Sequence, residues 1–281
     1  MLSSAYAQDD KVISVETDAT QMLLYVQKNG EVSFYHYGQK FDDPQQVIGY
    51  KSYRRGDYGT EPPAYPVRGG RHFNQSALAV RYHTGEMNTL LKYIGHGVEK
   101  LPDGAVRTVV NMQDENTALD VKLIYDAYPA EDVIVSHAEI TNGSRKDITM
   151  ESYASSALNL HASDYLLTHF YGSWAREFQV RNELLTPGIK SIRSIKGTRT
   201  THTENPSFML SLNTKEFNEN HGEVIAGALA WSGNYSIDFQ VDETERLSII
   251  AGAGTPGADY RLKPGKMFRT PDMIYTFTSK G

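Results

Sequence analysis

The sequence predicts an all-β protein: a large antiparallel β-sandwich, a supersandwich of two packed sheets. Three observations lead there. Short runs rich in β-branched and aromatic residues alternate apolar and polar positions with period two. Turn signals of the Asn-Gly and Pro-Gly kind separate these runs. No long segment shows helical periodicity closed by caps. At 281 residues the chain can bury a sizeable core, and all-β architectures of this length commonly form one domain.

The elements follow in order. Residues 1–11 read as a flexible N-terminus or the stub of a trimmed export signal, because Ala5-Tyr6-Ala7 before Gln8 has the small-x-small form of a signal-peptidase site. No basic or apolar region precedes it, so a polar terminus matching by chance is the other reading, and the compartment stays open between exported and cytoplasmic. Residues 12–281 form the sandwich. "QMLLYVQKNGEVSFYHYG" sets two apolar runs around Lys28-Asn29-Gly30, a hairpin signal. "DVKLIYDAY" places Val121, Leu123 and Tyr125 on one face and Lys122, Ile124 and Asp126 on the other. Two more runs flank a turn at Asn142-Gly143, and further strands fall at "SFMLSLN", "VIAGALAWSG", "YSIDFQVDE", "RLSIIAGAG" and "DMIYTFTS". Trp231, inside one of these apolar runs, is expected in the core.

Two segments break the rhythm. Residues 41–80 are rich in proline, glycine and arginine, with Tyr50, Tyr53, Tyr58, Tyr65 and Phe73 interspersed. Aromatic residues are scarce in disordered linkers, so this stretch reads as a functional loop that packs on the body. The second is "HFYGSWAREFQVRNELLTPG", residues 169–188, whose tryptophan and mixed charges are not needed for sheet pairing.

Composition excludes several functions. A net charge of −6 without any basic block argues against generic nucleic-acid or anionic-lipid binding, and no apolar run reaches the roughly 20 residues of a membrane helix. The absence of cysteine removes disulfides, thiol nucleophiles and thiolate zinc sites. The nine histidines show no helical metal-ligand spacing, and there is no calcium loop, Walker A sequence or G-x-S-x-G elbow. "GAGTPG" at 252–257 lacks the lysine and helix of a nucleotide loop and reads as a turn. No metal or cofactor is expected. The sequons at Asn74, Asn142 and Asn234 are too short to carry weight.

An ordered set of motifs carries more. Tyr171-Gly172-Ser173-Trp174-Ala175-Arg176-Glu177, Pro187-Gly188, Ser194-Ile195-Lys196-Gly197 and His202-Thr203-Glu204-Asn205-Pro206 follow one another. "GEVIAGALAWSGNYS" and "LKPGKMFRTPDMIYTFTSKG" come after them, and "GDYGTEPPAYP" and "SALAV" come before. In that order they resemble the N-terminal domain of glycoside hydrolase family 36, the microbial-type α-galactosidases. Each block alone is weak; the ordered set spans most of the chain.

The resemblance implies a non-catalytic β-sandwich followed by a (β/α)8 barrel whose two aspartates act as nucleophile and general acid/base. No βα repeat is present in this sequence, so the chain is expected to be the sandwich without its catalytic partner and inactive alone. The implied parent is a retaining α-galactosidase acting on terminal α-galactosides of the raffinose or melibiose type. Its implied partners are the barrel, those oligosaccharides and further copies of itself. A stand-alone carbohydrate-binding module and a structural or oligomerisation domain are the alternative readings.

The resemblance also names rim candidates: Asp57, Phe73, Asn74 and Trp174, with Arg176 and Glu177 as loop anchors. Trp174 is either a stacking face for sugar or a core or interface anchor. Arg176 and Glu177 either pin the loop or form a structural ion pair. Asp57 either meets substrate hydroxyls or only makes a turn. Asn74 and Ser76 stand where the family carries arginine and proline, and His169 is shifted from the usual His-Gly pair. These departures leave preference for α-galactoside over an N-acetylated relative undecided. The Trp174 segment and the Asp57 loop are expected to lie together at one sandwich edge.

Overall fold

The computed structural model describes residues 12–44, 61–70, 72, 74–198, 203–216, 218–254 and 257–281. Strands are numbered along the chain. A ten-stranded antiparallel sheet dominates. Its order is β12 (Arg176–Leu184), β11 (Tyr165–Ser173), β14 (Glu204–Leu212), β15 (Glu223–Leu229), β20 (Met273–Thr278), β8 (Val133–Asn142), β7 (Leu119–Tyr128), β6 (Val106–Asp114) and β5 (Leu91–Lys100), with β19 (Met267–Arg269) also pairing β8.

Three smaller sheets complete the molecule. One is β1 (Val12–Glu16), β2 (Thr20–Val26) and β3 (Val32–Gln39). The second is β10 (Ser156–His161), β17 (Arg246–Ala253), β16 (Tyr235–Val241) and β13 (Gly188–Ser194). The third is β18 (Tyr260–Leu262), β9 (Ile148–Tyr153) and β4 (Leu78–Arg81). The β-sandwich expectation holds, but the layer opposite the large sheet is divided among smaller sheets.

Alternating side chains build the core between these layers. Val121, Leu123 and Tyr125 of β7 are buried together, as their period-two spacing predicts. Across the layers, Phe208 of β14 meets Phe239 of β16 edge to face at 4.9 Å, and Tyr37 of β3 meets Tyr275 of β20 at 6.0 Å. The Tyr275 hydroxyl lies 2.6 Å from Ser156 Oγ of β10, so its polar end is satisfied inside the core. Burial pushes both tyrosine hydroxyls, Tyr37 and Tyr275, well above the ordinary phenol range. The outer face of β7 is also covered: Ile124 is buried, and Arg107 of β6 grips Asp126 with two 2.7 Å hydrogen bonds.

The predicted turns behave in different ways. Asn29-Gly30 closes the β2–β3 hairpin, with Gly30 at φ +83° and Asn29 Oδ1 accepting from the Glu31 amide. Asn142-Gly143 instead carries the chain from the large sheet to the third small sheet, because β8 and β9 do not pair. Asn142 is buried; its Nδ2 donates to the Lys146 and Leu262 carbonyls, and its Oδ1 accepts from the Ser144 amide and hydroxyl. A side chain with both amide hydrogens engaged inside the fold is no glycan acceptor.

The described part of the irregular 41–80 stretch packs on the body. Ala64 and Phe34 donate backbone hydrogen bonds to Val32 and Pro62, and the Tyr65 hydroxyl donates to the Ala154 carbonyl at 2.6 Å. Arg68 from this stretch and Arg81 from β4 share Glu151 of β9 at 2.6 and 2.8 Å. Tyr50, Tyr53, Asp57, Tyr58 and Phe73 lie outside the described residues, as do residues 1–11.

Candidate functional site

The 169–188 segment is a hairpin at the edge of the large sheet. Strands β11 and β12 pair from Leu166↔Leu184 to Ser173↔Arg176, with a register shift near the tip. Ala175 and Phe178 hold left-handed φ values of 61° and 58°, a conformation seldom adopted by residues with a side chain. Gly172 is required by close approach, since a Cβ there would lie 2.6 Å from the Arg176 carbonyl oxygen. Glu177 Oε1 accepts the Ala175 amide at 2.8 Å and so caps the tip. Among the described residues no ion pair joins Glu177 to Arg176, which corrects one of the two readings of that pair.

Trp174 sits at this tip and is 86% exposed. The core-anchor reading is therefore wrong, and the ring is free to meet something outside this chain. Phe178, Val180 and Leu184 are also exposed along β12, and Phe178 stacks on Phe170 at 4.6 Å. These residues share one face of the ribbon, since the register sets Phe170 opposite Val180 and Leu166 opposite Leu184. Exposed aromatic and aliphatic side chains beside the charged tip residues Arg176 and Glu177 have the chemistry of an interaction surface.

The ribbon's other face is polar and turns inward. Arg181 lies over the Tyr171 ring at 4.4 Å. Glu183 Oε2 pairs with Lys190 Nζ of β13 at 2.6 Å, while Glu183 Oε1 lies 3.4 Å from His169 Nε2 and 3.6 Å from Arg181 Nε. Burial alone would raise the Glu183 carboxyl, but hydrogen bonds from Lys190 and His169 outweigh it and hold it below its ordinary value. Glu204 of β14 lies 3.8 Å from His169 Nδ1, and burial pushes its carboxyl up. None of these partners was legible in the sequence, because Lys190 and Glu204 arrive from other strands.

The remaining candidates are placed differently. Asn74 is half-buried, and its neighbour Gln75 donates its amide to Gln240 Oε1 of β16 at 2.8 Å. Gln240 lies five residues, about 17 Å along an extended strand, from Tyr235 at the end of β16 nearest Glu204. Among the described residues of 62–77, no hydrogen bond or ion pair links this stretch to the hairpin. Asp57 and Phe73 cannot be placed against Trp174, since both lie outside the described residues. Trp231, expected in the core, is 44% exposed; it follows β15, and its indole N–H donates to the Asn234 carbonyl at 3.0 Å. The β15 ladder ends at Leu229, so the apolar run outlasts the strand. Among the described residues, no group of three or more His, Asp or Glu side chains is arranged to hold a metal ion.

Known proteins resemble the chain along its whole length. Alpha-galactosidase Mel36A of Lactobacillus acidophilus is 24% identical over 100% of this chain and 42% of its own length. Probable alpha-galactosidase G of Emericella nidulans is 28% identical over 81% of this chain and 30% of its own length. The crystal structure of the alpha-galactosidase from Lactobacillus brevis superposes with a TM-score of 0.89 at 28% identity, covering 98% of this chain and 40% of that one. A variant of alpha-galactosidase AgaA from Geobacillus stearothermophilus, solved in complex with raffinose, has the same fold at TM-score 0.89 and 22% identity, covering 96% of this chain and 41% of that one. The chain thus spans about 42% of the length of the first of these relatives. Residues 30–263 match the model of the glycosyl hydrolase family 36 N-terminal domain, and the chain belongs to that family.

Proposed function

We propose that this chain is the non-catalytic sandwich of a retaining α-galactosidase that removes terminal α-galactosyl groups from oligosaccharides of the raffinose or melibiose type. A retaining glycosidase needs two carboxyl groups roughly 5 Å apart across the anomeric carbon. In this reading a barrel carried elsewhere in the parent supplies both. The sandwich supports that barrel, contributes to assembly of several copies and lends side chains to the pocket rim. The observation that carries it is the 86% exposure of Trp174 on a hairpin tip held in left-handed backbone. A strained, exposed aromatic tip serves no purpose in sheet pairing. Its flat ring fits the C–H face of a sugar, and its indole N–H fits a hydroxyl.

The test has two parts. A chromogenic α-galactoside incubated with this chain alone should give background turnover; turnover abolished by a point substitution within the chain would overturn the non-catalytic role. In the full parent, Trp174→Ala should weaken substrate use or assembly. The ring exposes about 170 Å² if a tryptophan presents about 200 Å² in all, and covering that area is worth up to about 4 kcal/mol. Docking retains only part of this, so a loss of roughly 30-fold is expected. Unchanged kinetics and assembly would refute the rim role. The alternative of a stand-alone sugar-binding module rests on the same exposed ring; it predicts that the isolated chain binds raffinose and that Trp174→Ala abolishes the binding.

A further inference from the structure

Strand β12 is attached to the molecule in a way that apolar packing does not explain. Every residue from Arg176 to Leu184 is exposed except Glu183. The strand is hydrogen-bonded along one edge only, to β11. Strand β11 is itself irregular where the hairpin begins to project: its pairing with β14 shifts register between His169 and Tyr171, and among the described residues Tyr171↔Glu204 is the last rung, followed by one 3.3 Å hydrogen bond from the Gly172 amide to the Thr203 carbonyl. Among the described residues, the tip half of the hairpin is thus joined to the sheet by few backbone bonds.

The polar contacts at its base converge on Glu183. Lys190 reaches it from β13, His169 from β11 and Arg181 from β12 itself, while Glu204 of β14 stands behind His169 and Tyr235 of β16 faces Glu204. His169 is only 2% exposed, so its side of the cluster is sealed from water. Lys190–Glu183 is an ion pair that joins the large sheet to the four-stranded sheet. The chain makes the same crossing at Leu185-Thr186-Pro187, between β12 and β13, so the salt bridge closes a short loop across the sandwich edge. Short closure costs little entropy and makes such a contact effective.

We infer that Glu183, gripped by Lys190 from the second sheet and by His169 from β11, is the pin that sets the twist of the β11–β12 hairpin and so the direction in which Trp174 points. Glu183, Lys190 and His169 are positioning residues. Trp174 sits in the turn beyond Arg176, and Arg176 lies seven residues, about 23 Å of strand, from Glu183. A change of roughly 10° in the direction in which the ribbon leaves the pin, comparable to the ordinary spread of sheet twist, displaces the tip by about 4 Å. That exceeds the roughly 1 Å tolerance of a positioned contact in an active site. The assignment deepens the docking reading of the hairpin, yet it is read out without any partner or substrate, so the two fail separately.

Hydrogen exchange followed by mass spectrometry on this chain tests it, with Glu183→Gln and Lys190→Met as the perturbations and Lys190→Arg as the conservative variant. Amides of 166–182 should exchange about tenfold faster in the first two variants, while those of β16 and β17 keep their protection. In a Trp231→Phe background, the fluorescence anisotropy of Trp174 should gain a fast, large-amplitude component in those variants. Lys190→Arg should restore both readouts. Unchanged hairpin protection would overturn the pin. So would equal acceleration in all strands, since that is the signature of a merely structural residue whose loss lowers global stability.

Discussion

Replacing Gly227 of β15 by alanine should destabilise the sandwich. The backbone there is ordinary extended strand, so the effect is steric. A Cβ would lie 2.5 and 2.6 Å from Cε1 and Cζ of Phe208 and 2.8 Å from Cε of Met273. The methionine methyl can swing away at small cost, but the phenylalanine ring is held edge to face against Phe239 of the opposite layer. Moving the ring disturbs the contact that joins the two layers. Overpacking of this kind costs about 1–3 kcal/mol, and the lower chain entropy of alanine in the unfolded state returns about 0.4–1 kcal/mol. A net loss of about 1–2 kcal/mol remains, or a Tm lower by roughly 2–4 °C for a domain of this size. Thermal unfolding followed by circular dichroism measures it. Gly97→Ala on β5 is the control, because nothing lies within 4 Å of its added methyl. Phe208→Leu combined with Gly227→Ala should cost less than the sum of the two, since the shorter side chain makes room. A Gly227→Ala protein as stable as the parent, or strict additivity in the double variant, would refute the close-packing account.

Two further outcomes follow from polar contacts. Hydrogen bonds from Arg81 and Arg68 hold the Glu151 carboxyl below its ordinary value of 4.5, so its contribution is present above about pH 4.5 and is lost as pH falls through the depressed value. Acid titration of the Tm should therefore show a shallower decline below pH 4.5 in Glu151→Gln than in the parent, and identical slopes would show that the pair does not couple to folding. Asn142→Ala strips one hydrogen bond each from the Lys146 and buried Leu262 carbonyls and should cost about 2–3 kcal/mol in denaturant unfolding, whereas a loss below 0.5 kcal/mol would mean that the turn holds without it.

The sequence by itself determined the class of fold, the buried set Val121, Leu123 and Tyr125 of β7 and the Asn29-Gly30 hairpin. Those properties are local: side chains alternate with period two whatever lies across the sheet, and an Asn-Gly pair adopts its turn from its own backbone energetics. It also singled out residues 169–188 for a tryptophan and mixed charges that sheet pairing does not need, although the segment is a paired hairpin, and an ordered set of short motifs pointed to the family. Tertiary structure decided the rest. Asn142-Gly143 and Pro187-Gly188 both read as turns, yet both carry the chain between sheets, because strand partners are chosen by non-local hydrogen bonding that no window of sequence contains. The two tryptophans show the same limit. Trp231 continues an apolar run and ends half outside, because its strand stops two residues earlier; Trp174 stands almost wholly exposed, because an unpaired edge leaves its hairpin uncovered. The Glu183 cluster was the least legible feature. Its members lie on four strands of two sheets: pairing within the large sheet brings the histidine and two carboxylates together, and packing of the four-stranded sheet adds the lysine.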